Sequence, residues 1–401
     1  MSMPTLRANF DSALQLFLVS LLALLVSFAL LIEEHQRNWL LYLTALLGFG
    51  FLTQRQVRSQ LRSNRTSLAL GILLLLPLLS ILWSTPGAAA EPVELKDLIL
   101  AAICIAGVYL GLTALNLRQP AFSGRLQLVF AATALFGLWL ALGHWWFWLR
   151  PTAERPRFEG GFAFYNAVHA SIFAFAAGLL AIHDRLNSRQ PVTLWLSVPL
   201  LVSVSLFGLL AGARAAMAAF VITALAMLVR KGAGRWGVLA GGALLTAAVG
   251  ATLLLIGPEQ LKNIWLSRGL SYRLEIWDQV LTQFGACPFL LGCGIDAPPS
   301  IVAGLETGDR AHSMPLATFY YYGVLGLLIT AAALGYLALR GAEKGGTAWA
   351  WLLGYALLAN MTSGDHVLER ATLFWPYFWL PVLMLATINR ASPGTPARAQ
   401  P

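Results

Sequence analysis

The chain has 401 residues, of which 58% are hydrophobic and only 11% charged, and its formal net charge is +9. A soluble protein carries about 25% charged residues, and helices that are apolar on every face must be buried or lie in a membrane. The composition therefore excludes an ordinary soluble globular protein and predicts an all-α integral membrane protein.

Twelve apolar segments follow one another along the chain, and about 20 such residues make one helical span. They cover residues 12–32, 39–52, 68–83, 98–116, 126–148, 162–182, 192–210, 213–229, 238–256, 314–339, 348–362 and 371–388. The first is too long for the apolar region of a signal peptide and lacks a small-residue cleavage site, so we expect it to remain as a span. No repeat or soluble appendage is recognisable, and residues 1–401 are predicted to form a single membrane domain.

Lysine and arginine are concentrated in every second connection. With the N-terminus in the cytoplasm, the inner segments are 1–11, 53–67, 117–125, 183–191, 230–237, 340–347 and 389–401. They contain 16 of the 27 basic and 3 of the 18 acidic residues. Because cytoplasmic loops are enriched in Lys and Arg, both termini are predicted to be cytoplasmic. The positive charge then reflects topology and contact with inner-leaflet lipid rather than nucleic-acid binding.

The outer connection between the ninth and tenth segments, residues 257–313, is the longest. Loops of this length are usually functional or disordered. Residues 271–284 predict an amphipathic helix with Ser271 as N-cap, lying along the membrane surface over the spans. Its predicted apolar face consists of Leu274, Trp277, Leu281 and Phe284. A plain connector is the alternative interpretation.

The three cysteines fall into two groups. Cys104 lies within an apolar segment, where it is expected to act as a small hydrophobic residue. Cys287 and Cys293 lie six residues apart in the long outer segment and would be able to pair in an oxidising compartment. Spacing alone leaves both the free and the paired state open.

Arginines collect at a few points on the outer side, although the outer segments are acidic in sum. Besides Arg214 they are Arg150, Arg155, Arg157, Arg268, Arg273 and Arg310. Arg214 is the only charged residue in the apolar stretch 192–229, at the tight hairpin between two segments. A charge near a membrane interior is costly, and a cation at a helix N-terminus opposes the helix dipole, so an anion bound there would offset both effects. The alternative, contact with lipid headgroups, is strongest for Arg150, Arg155 and Arg157.

His312 is the histidine best placed to act as a base, because the long outer segment re-enters the membrane there. An imidazole with a pKa of about 6.5 suits proton removal from a hydroxyl near neutral pH. The other histidines have simpler interpretations: solvated loops for His35 and His183, an interfacial aromatic belt for His144, and a core position for His169. His366 follows Asp365 in the outer connection before the last segment.

Motifs for metals and nucleotides are missing from the sequence. No His or Cys pairs stand at ligand spacing, and no outer loop has an acid-x-acid cluster. No phosphate-binding loop, nucleophile elbow or dinucleotide fingerprint occurs. We therefore predict no metal and no cofactor, so the energy for any reaction must arrive in an activated substrate.

The motifs of the outer segment resemble those of the O-antigen ligase family. The resemblance lies in Arg273-Leu-Glu-Ile-Trp277, Phe284, Pro288, Gly292-x-Gly294, Ala311-His-Ser-Met-Pro-Leu316 and Tyr322-Gly-Val-Leu-Gly326. The twelve-segment layout and the hairpin arginine Arg214 are also similar to the family, although Ser313 stands where members often have Asn. The resemblance covers most of the chain.

The resemblance implies an inverting, metal-independent glycosyltransferase of the GT-C type in the bacterial inner membrane. Such an enzyme moves a glycan from undecaprenyl-diphosphate to the lipid A–core at the periplasmic face, surrounded by membrane lipids. It implies His312 as the catalytic histidine. It implies the diphosphate ligands Arg214, Arg268, Arg273 and Arg310, with Asp365 as a further substrate-binding acid.

Three other functions stay open at this stage. A polysaccharide polymerase would use the same lipid carrier, and an oligosaccharyltransferase would modify protein hydroxyls, although no added outer C-terminal domain is recognisable. A transporter of lipid-linked sugars would be expected to have charges near mid-membrane and broken helices in related halves. Here the unusual charges lie at the outer edge, which favours the transferase.

Overall fold

The structure is a computed structural model that describes residues 3–30, 33–84, 95–119, 121–148, 167–187, 192–232, 259, 272–303, 306–308, 310–364, 368, 372 and 374–388. The first helices are α1 (Met3–Ser27), α2 (Glu34–Phe49), α3 (Arg55–Ser63), α4 (Arg65–Ser80), α5 (Leu95–Arg118), α6 (Phe122–Trp148), α7 (Ala167–Asn187), α8 (Val192–Ala211) and α9 (Arg214–Arg230). They are followed by α10 (Arg273–Phe284), strands β1 (Ile301–Ala303) and β2 (Glu306–Gly308), α11 (Met314–Glu343), α12 (Thr347–Ala359), a π-helix (Trp375–Trp379) and α13 (Leu380–Thr387). Most of the described residues are thus helical; the exceptions include one short antiparallel hairpin of β1 and β2 and the turns of residues 285–300.

Helices overlap eleven of the twelve predicted apolar segments, and the ninth, 238–256, lies outside the described residues. Within the described part, four helical stretches are long and apolar enough to cross a membrane: Arg65–Trp83, Leu95–Arg118, Phe122–Gly143 and Met314–Glu343. The all-helical membrane character expected from composition is therefore confirmed. The number of crossings, their orientation and the GT-C classification stay predictions.

The last apolar segment forms the centre of the helix bundle. Every residue from 374 to 388 is buried, and α13 packs against α4, α5, α11 and α12. At the end of α13, the carbonyl of Ala386 accepts hydrogen bonds from Asn64 Nδ2 at 3.1 Å and Thr66 Oγ1 at 2.7 Å. These bonds satisfy a carbonyl that the helix end leaves without an intrahelical donor, and they join α13 to the start of α4.

Helix α10 differs from its predicted form in two respects. The N-cap position is occupied by Tyr272, with φ +57° and no side-chain cap, rather than by Ser271. Its buried residues are Ile276, Val280 and Phe284, whereas the predicted face residues Leu274 and Leu281 are 59% and 50% exposed. A helical wheel was misleading here because α10 has apolar residues on two sides, and only its packing partners select the buried one.

The partners of α10 are α11 and β1. The Phe284 ring lies 4.2 Å from the ring of Phe319, centroid to centroid. On the adjacent side, the Gln279 amide donates to Val302 O at 2.7 Å and accepts from Val302 N–H at 2.9 Å. Gln283 forms the same two-way pairing with Ser300. Residues 272–303, the main described part of the predicted outer segment and called the outer layer below, are therefore tied to the bundle and are not a plain connector.

Candidate functional site

His312 lies immediately before α11, in a backbone conformation that non-glycine residues seldom adopt. Its φ is +49°, and such residues persist where the surrounding structure holds them and are common at functional sites. The next residue, Ser313, caps α11 by accepting a hydrogen bond from Leu316 N–H at 3.4 Å. Met314 N–H donates to Ser363 O at 3.2 Å. His312 is thus exposed, and the residues that follow it in the turn are buried and held by hydrogen bonds.

Trp277 fixes the turn from its N-terminal side. Its indole Nε1–H donates to the carbonyl oxygen of Ala311 at 3.2 Å. Arg273 lies four residues earlier on α10, and positions i and i+4 are neighbours on one helix surface. The Arg-x-x-x-Trp spacing therefore places Arg273 one turn of α10 away from Trp277, the residue that is hydrogen-bonded to the loop carrying His312.

Arg214 and Arg273 each stand at the first position of a helix, α9 and α10 respectively. Neither helix has a side-chain cap, since the N-cap residues are Ala213 and Tyr272. Burial and the nearby Arg214 guanidinium lower the pKa of Arg273, so the two cations lie close enough to repel each other. Uncapped N–H groups and paired guanidinium groups are a favourable arrangement for an anion with several oxygen atoms.

His169, predicted to be a core residue, lies beside the same turn. Its Nδ1 is 2.8 Å from the hydroxyl of Tyr377, and it interacts electrostatically with Arg310 and His312. Tyr377 belongs to the π-helix, an element that is frequent at functional sites. Sequence reasoning missed this pair, and the only signal was the proline in Trp375-Pro-Tyr-Phe-Trp379.

The glycine motifs hold the scaffold together. Helix α11 is broken at Gly323, which has φ +64°. The segment after Pro288 enters this break: Cys293 N–H donates to Tyr320 O at 2.8 Å, and Gly294 N–H donates to Tyr321 O at 2.9 Å. Carbonyls freed by the break thus regain donors, which a helix in a membrane requires.

Two further attachments hold the segment in the break. Cys287 and Cys293 form a disulfide, with their Cα atoms 5.0 Å apart, so the pairing that spacing left open is present. The Ser80 hydroxyl accepts from Ile295 N–H at 3.1 Å, and the Ser84 hydroxyl accepts from Asp296 N–H at 3.2 Å. The end of α4 and the residues that follow it are therefore hydrogen-bonded to this segment.

The structure brings together some of the predicted site residues and does not describe others. Arg214 lies near enough to Arg273 to lower its pKa, and Arg310 and His312 both interact electrostatically with His169. The predicted residues outside the described part are Arg150, Arg155, Arg157, Arg268, Asp365 and His366. In the described ranges, no group of three or more His, Cys, Asp or Glu is placed to hold a metal ion.

The chain is similar to a known protein over most of its length. It is 30% identical over 319 residues to an O-antigen ligase of Pseudomonas aeruginosa, covering 77% of this chain and 74% of the relative. No protein-family model matches the sequence.

Proposed function

Because this chain belongs to the O-antigen ligase family, we propose that it is an inverting glycosyltransferase that ligates O-antigen to lipopolysaccharide core. The donor is an O-antigen polysaccharide on undecaprenyl-diphosphate, and the acceptor is a hydroxyl of the lipid A–core. The reaction takes place at the periplasmic face of the inner membrane. It needs no metal ion and no cofactor, because the donor is already activated.

The observation that carries the proposal is the position of Arg214 and Arg273, each at the first residue of a helix without a side-chain cap. Trp277, on the same helix as Arg273, donates a hydrogen bond to the turn that presents His312. Two guanidinium groups at two uncapped helix N-termini suit the two phosphates of the donor. As the glycosidic bond breaks, the leaving diphosphate gains negative charge. Cations fixed at that point stabilise the transition state more than the ground state.

His312 acts as the base in this proposal. The acceptor hydroxyl oxygen attacks the anomeric carbon from the face opposite the diphosphate, and its proton passes to the imidazole. The carbon–oxygen bond to the diphosphate breaks, and its electron pair leaves with undecaprenyl diphosphate. No covalent enzyme intermediate forms, and a single displacement inverts the anomeric centre. Exposure of His312 on the outer side of its turn supports this role, since the acceptor must reach it.

Three further residues belong to the proposed substrate site. Arg310 precedes the base by two positions and interacts with His169, which supports a contact with the donor diphosphate. Arg268 precedes α10 in the sequence and Asp365 precedes the π-helix. We assign Arg268 to the diphosphate and Asp365 to substrate binding on the basis of the family resemblance.

Reconstitution of ligation with purified components tests the proposal. The full chain is mixed with undecaprenyl-diphosphate-linked O-antigen and lipid A–core, without nucleotide and with a chelator, and conjugates are followed as a ladder. His312→Ala is expected to lower the rate by about 10²–10⁴-fold, and Arg214→Ala or Arg273→Ala by about 10²–10³-fold. Arg340→Ala is the matched control, because Arg340 is exposed at the far end of α11, where its side chain contacts Glu343 and Tyr336.

Several outcomes would contradict the assignment. Full activity of both arginine variants would refute diphosphate binding by the pair. Elongated carrier-linked glycan without added core would identify a polymerase instead. Loss of conjugates on chelation would refute a metal-independent reaction.

A further inference from the structure

Helix α3 carries a second cluster of cations, far from the site described above. Its arginines and serines occur at spacings of three and four, so they share one helix face. This basic face consists of Arg55, Arg58, Ser59, Arg62 and Ser63. On the opposite face Val57 is fully buried and fixes the helix against the bundle.

The basic face is electrostatically unfavourable as it stands. None of its three guanidinium groups has a hydrogen bond or ion pair within the described residues, and no acidic residue occurs between Glu34 and Glu91. Like charges three and four residues apart destabilise a helix, and Arg55 opposes the dipole at the helix N-terminus. An anion in contact with the basic face would remove both penalties.

The side chains of the basic face surround an open cavity of about 550 Å³. It lies at the end of the bundle opposite His312. Helix α11 begins beside His312 and ends at Glu343, and the next residue, Lys344, has its Nζ 3.5 Å from Asn64 Oδ1 at the end of α3. The flanking apolar residues Leu52 and Leu68 are exposed. Cations next to exposed apolar side chains match a molecule that has both a phosphate and acyl chains.

We propose that the basic face of α3 is a binding site for the phosphate headgroup of an anionic phospholipid. The guanidinium groups bind the phosphate oxygens, the serine hydroxyls donate to the same headgroup, and the acyl chains lie against Leu52 and Leu68. Clusters of basic residues beside membrane spans are known to recruit anionic lipids in this way. The inference goes beyond ligation, since it concerns a lipid at the opposite end of the bundle.

Binding of phosphatidylglycerol to the full chain in neutral-detergent micelles tests this site, because micelles lack the surface potential of a bilayer. Native mass spectrometry measures the retained lipid for the wild type, for Arg55→Gln/Arg58→Gln/Arg62→Gln, and for the charge-matched Arg125→Gln/Arg185→Gln/Arg340→Gln. Each basic residue near an anionic lipid strengthens association about fivefold, so the α3 variant is expected to lose about 100-fold. The control triple variant is expected to bind as the wild type does.

Three results would overturn the proposal. Equal binding of phosphatidylcholine would show that the negative headgroup is not recognised. Equal losses in both triple variants would show a general charge effect and no site. Competition by inorganic phosphate at the same concentration as the lipid would identify a free-phosphate site instead. An Arg→Lys version of the α3 variant, expected to keep most of the affinity, separates loss of charge from loss of folding.

Discussion

Adding a single methyl group at Gly292 is expected to detach the outer layer from α11. Gly292 has φ +75°, which costs an L-residue about 1–2 kcal/mol. An added Cβ would lie 2.5 Å from Gly323 N and 2.6 Å from Tyr320 O. Both are backbone atoms, so no side-chain rotation can relieve the overlap, and the segment must move out of the break in the helix.

The movement also breaks the hydrogen bonds that fill the break. Cys293 N–H and Gly294 N–H would lose their carbonyl acceptors on α11, at about 1 kcal/mol for each bond. Together with the backbone conformation, this gives a destabilisation of about 3–4 kcal/mol for Gly292→Ala. Because the same layer carries Trp277, which donates a hydrogen bond to the turn of His312, ligation is expected to fall as well.

Unfolding of the purified protein in detergent, followed by near-ultraviolet circular dichroism, measures the effect. Gly335→Ala is the matched control: Gly335 lies on α11, the helix that the Gly292 segment enters, and a Cβ there meets no atom within 4 Å. Alanine in a helix interior is favoured over glycine by about 0.5–1 kcal/mol, so the control is expected to be neutral or slightly more stable. If the two variants unfold alike, the docking of the glycine segment does not support the outer layer.

Three other changes test separate parts of the structure. Tyr377→Phe removes the hydroxyl that lies 2.8 Å from His169 Nδ1. We expect a lower turnover number with little change in KM, together with a displaced pH–rate profile. An unchanged profile would mean that Tyr377 has a packing role only. Replacing both Cys287 and Cys293 by Ser reopens a loop of about seven residues and should lower the free energy of unfolding by about 2 kcal/mol on the chain-entropy model. Unfolding with and without reductant measures this, and the double variant is expected to be as stable as the reduced wild type. Arg273→Lys places a weaker base where burial and a neighbouring cation lower the pKa of the cationic side chain. Its charge and its activity should therefore be lost before the pH reaches the ordinary lysine pKa of about 10.4, whereas the wild type should keep its activity there.

Part of this protein follows directly from its sequence. The apolar segments are long and nearly free of charge, so hydrophobicity alone identifies helices such as α5 and α11, whatever their neighbours are. The sequence also singled out Arg214 and His312 as candidates, because a charged or titratable group at the edge of an apolar segment is costly, and Arg273 through the Arg-x-x-x-Trp motif. Their roles stay predictions. These conclusions depend on local composition.

Other features depended on contacts between distant parts of the chain. The roles of Gly292 and Gly323 depend on hydrogen bonds between two segments about thirty residues apart, the one after Pro288 and the break in α11. The pairing of Cys287 with Cys293 was open from spacing and depended on the path of the segment that enters α11.

The face that α10 buries and the place of His169 were likewise decided by tertiary structure. A helical pattern states that a side chain is apolar or titratable, but it does not state which neighbour will cover it. For α10 the neighbours are α11 and β1, so Ile276 and Val280 are buried while Leu274 is exposed. His169 contacts Tyr377 across 208 residues of sequence. Which face of a helix is buried depends on contacts between different elements, so it cannot be read from the sequence of one helix alone.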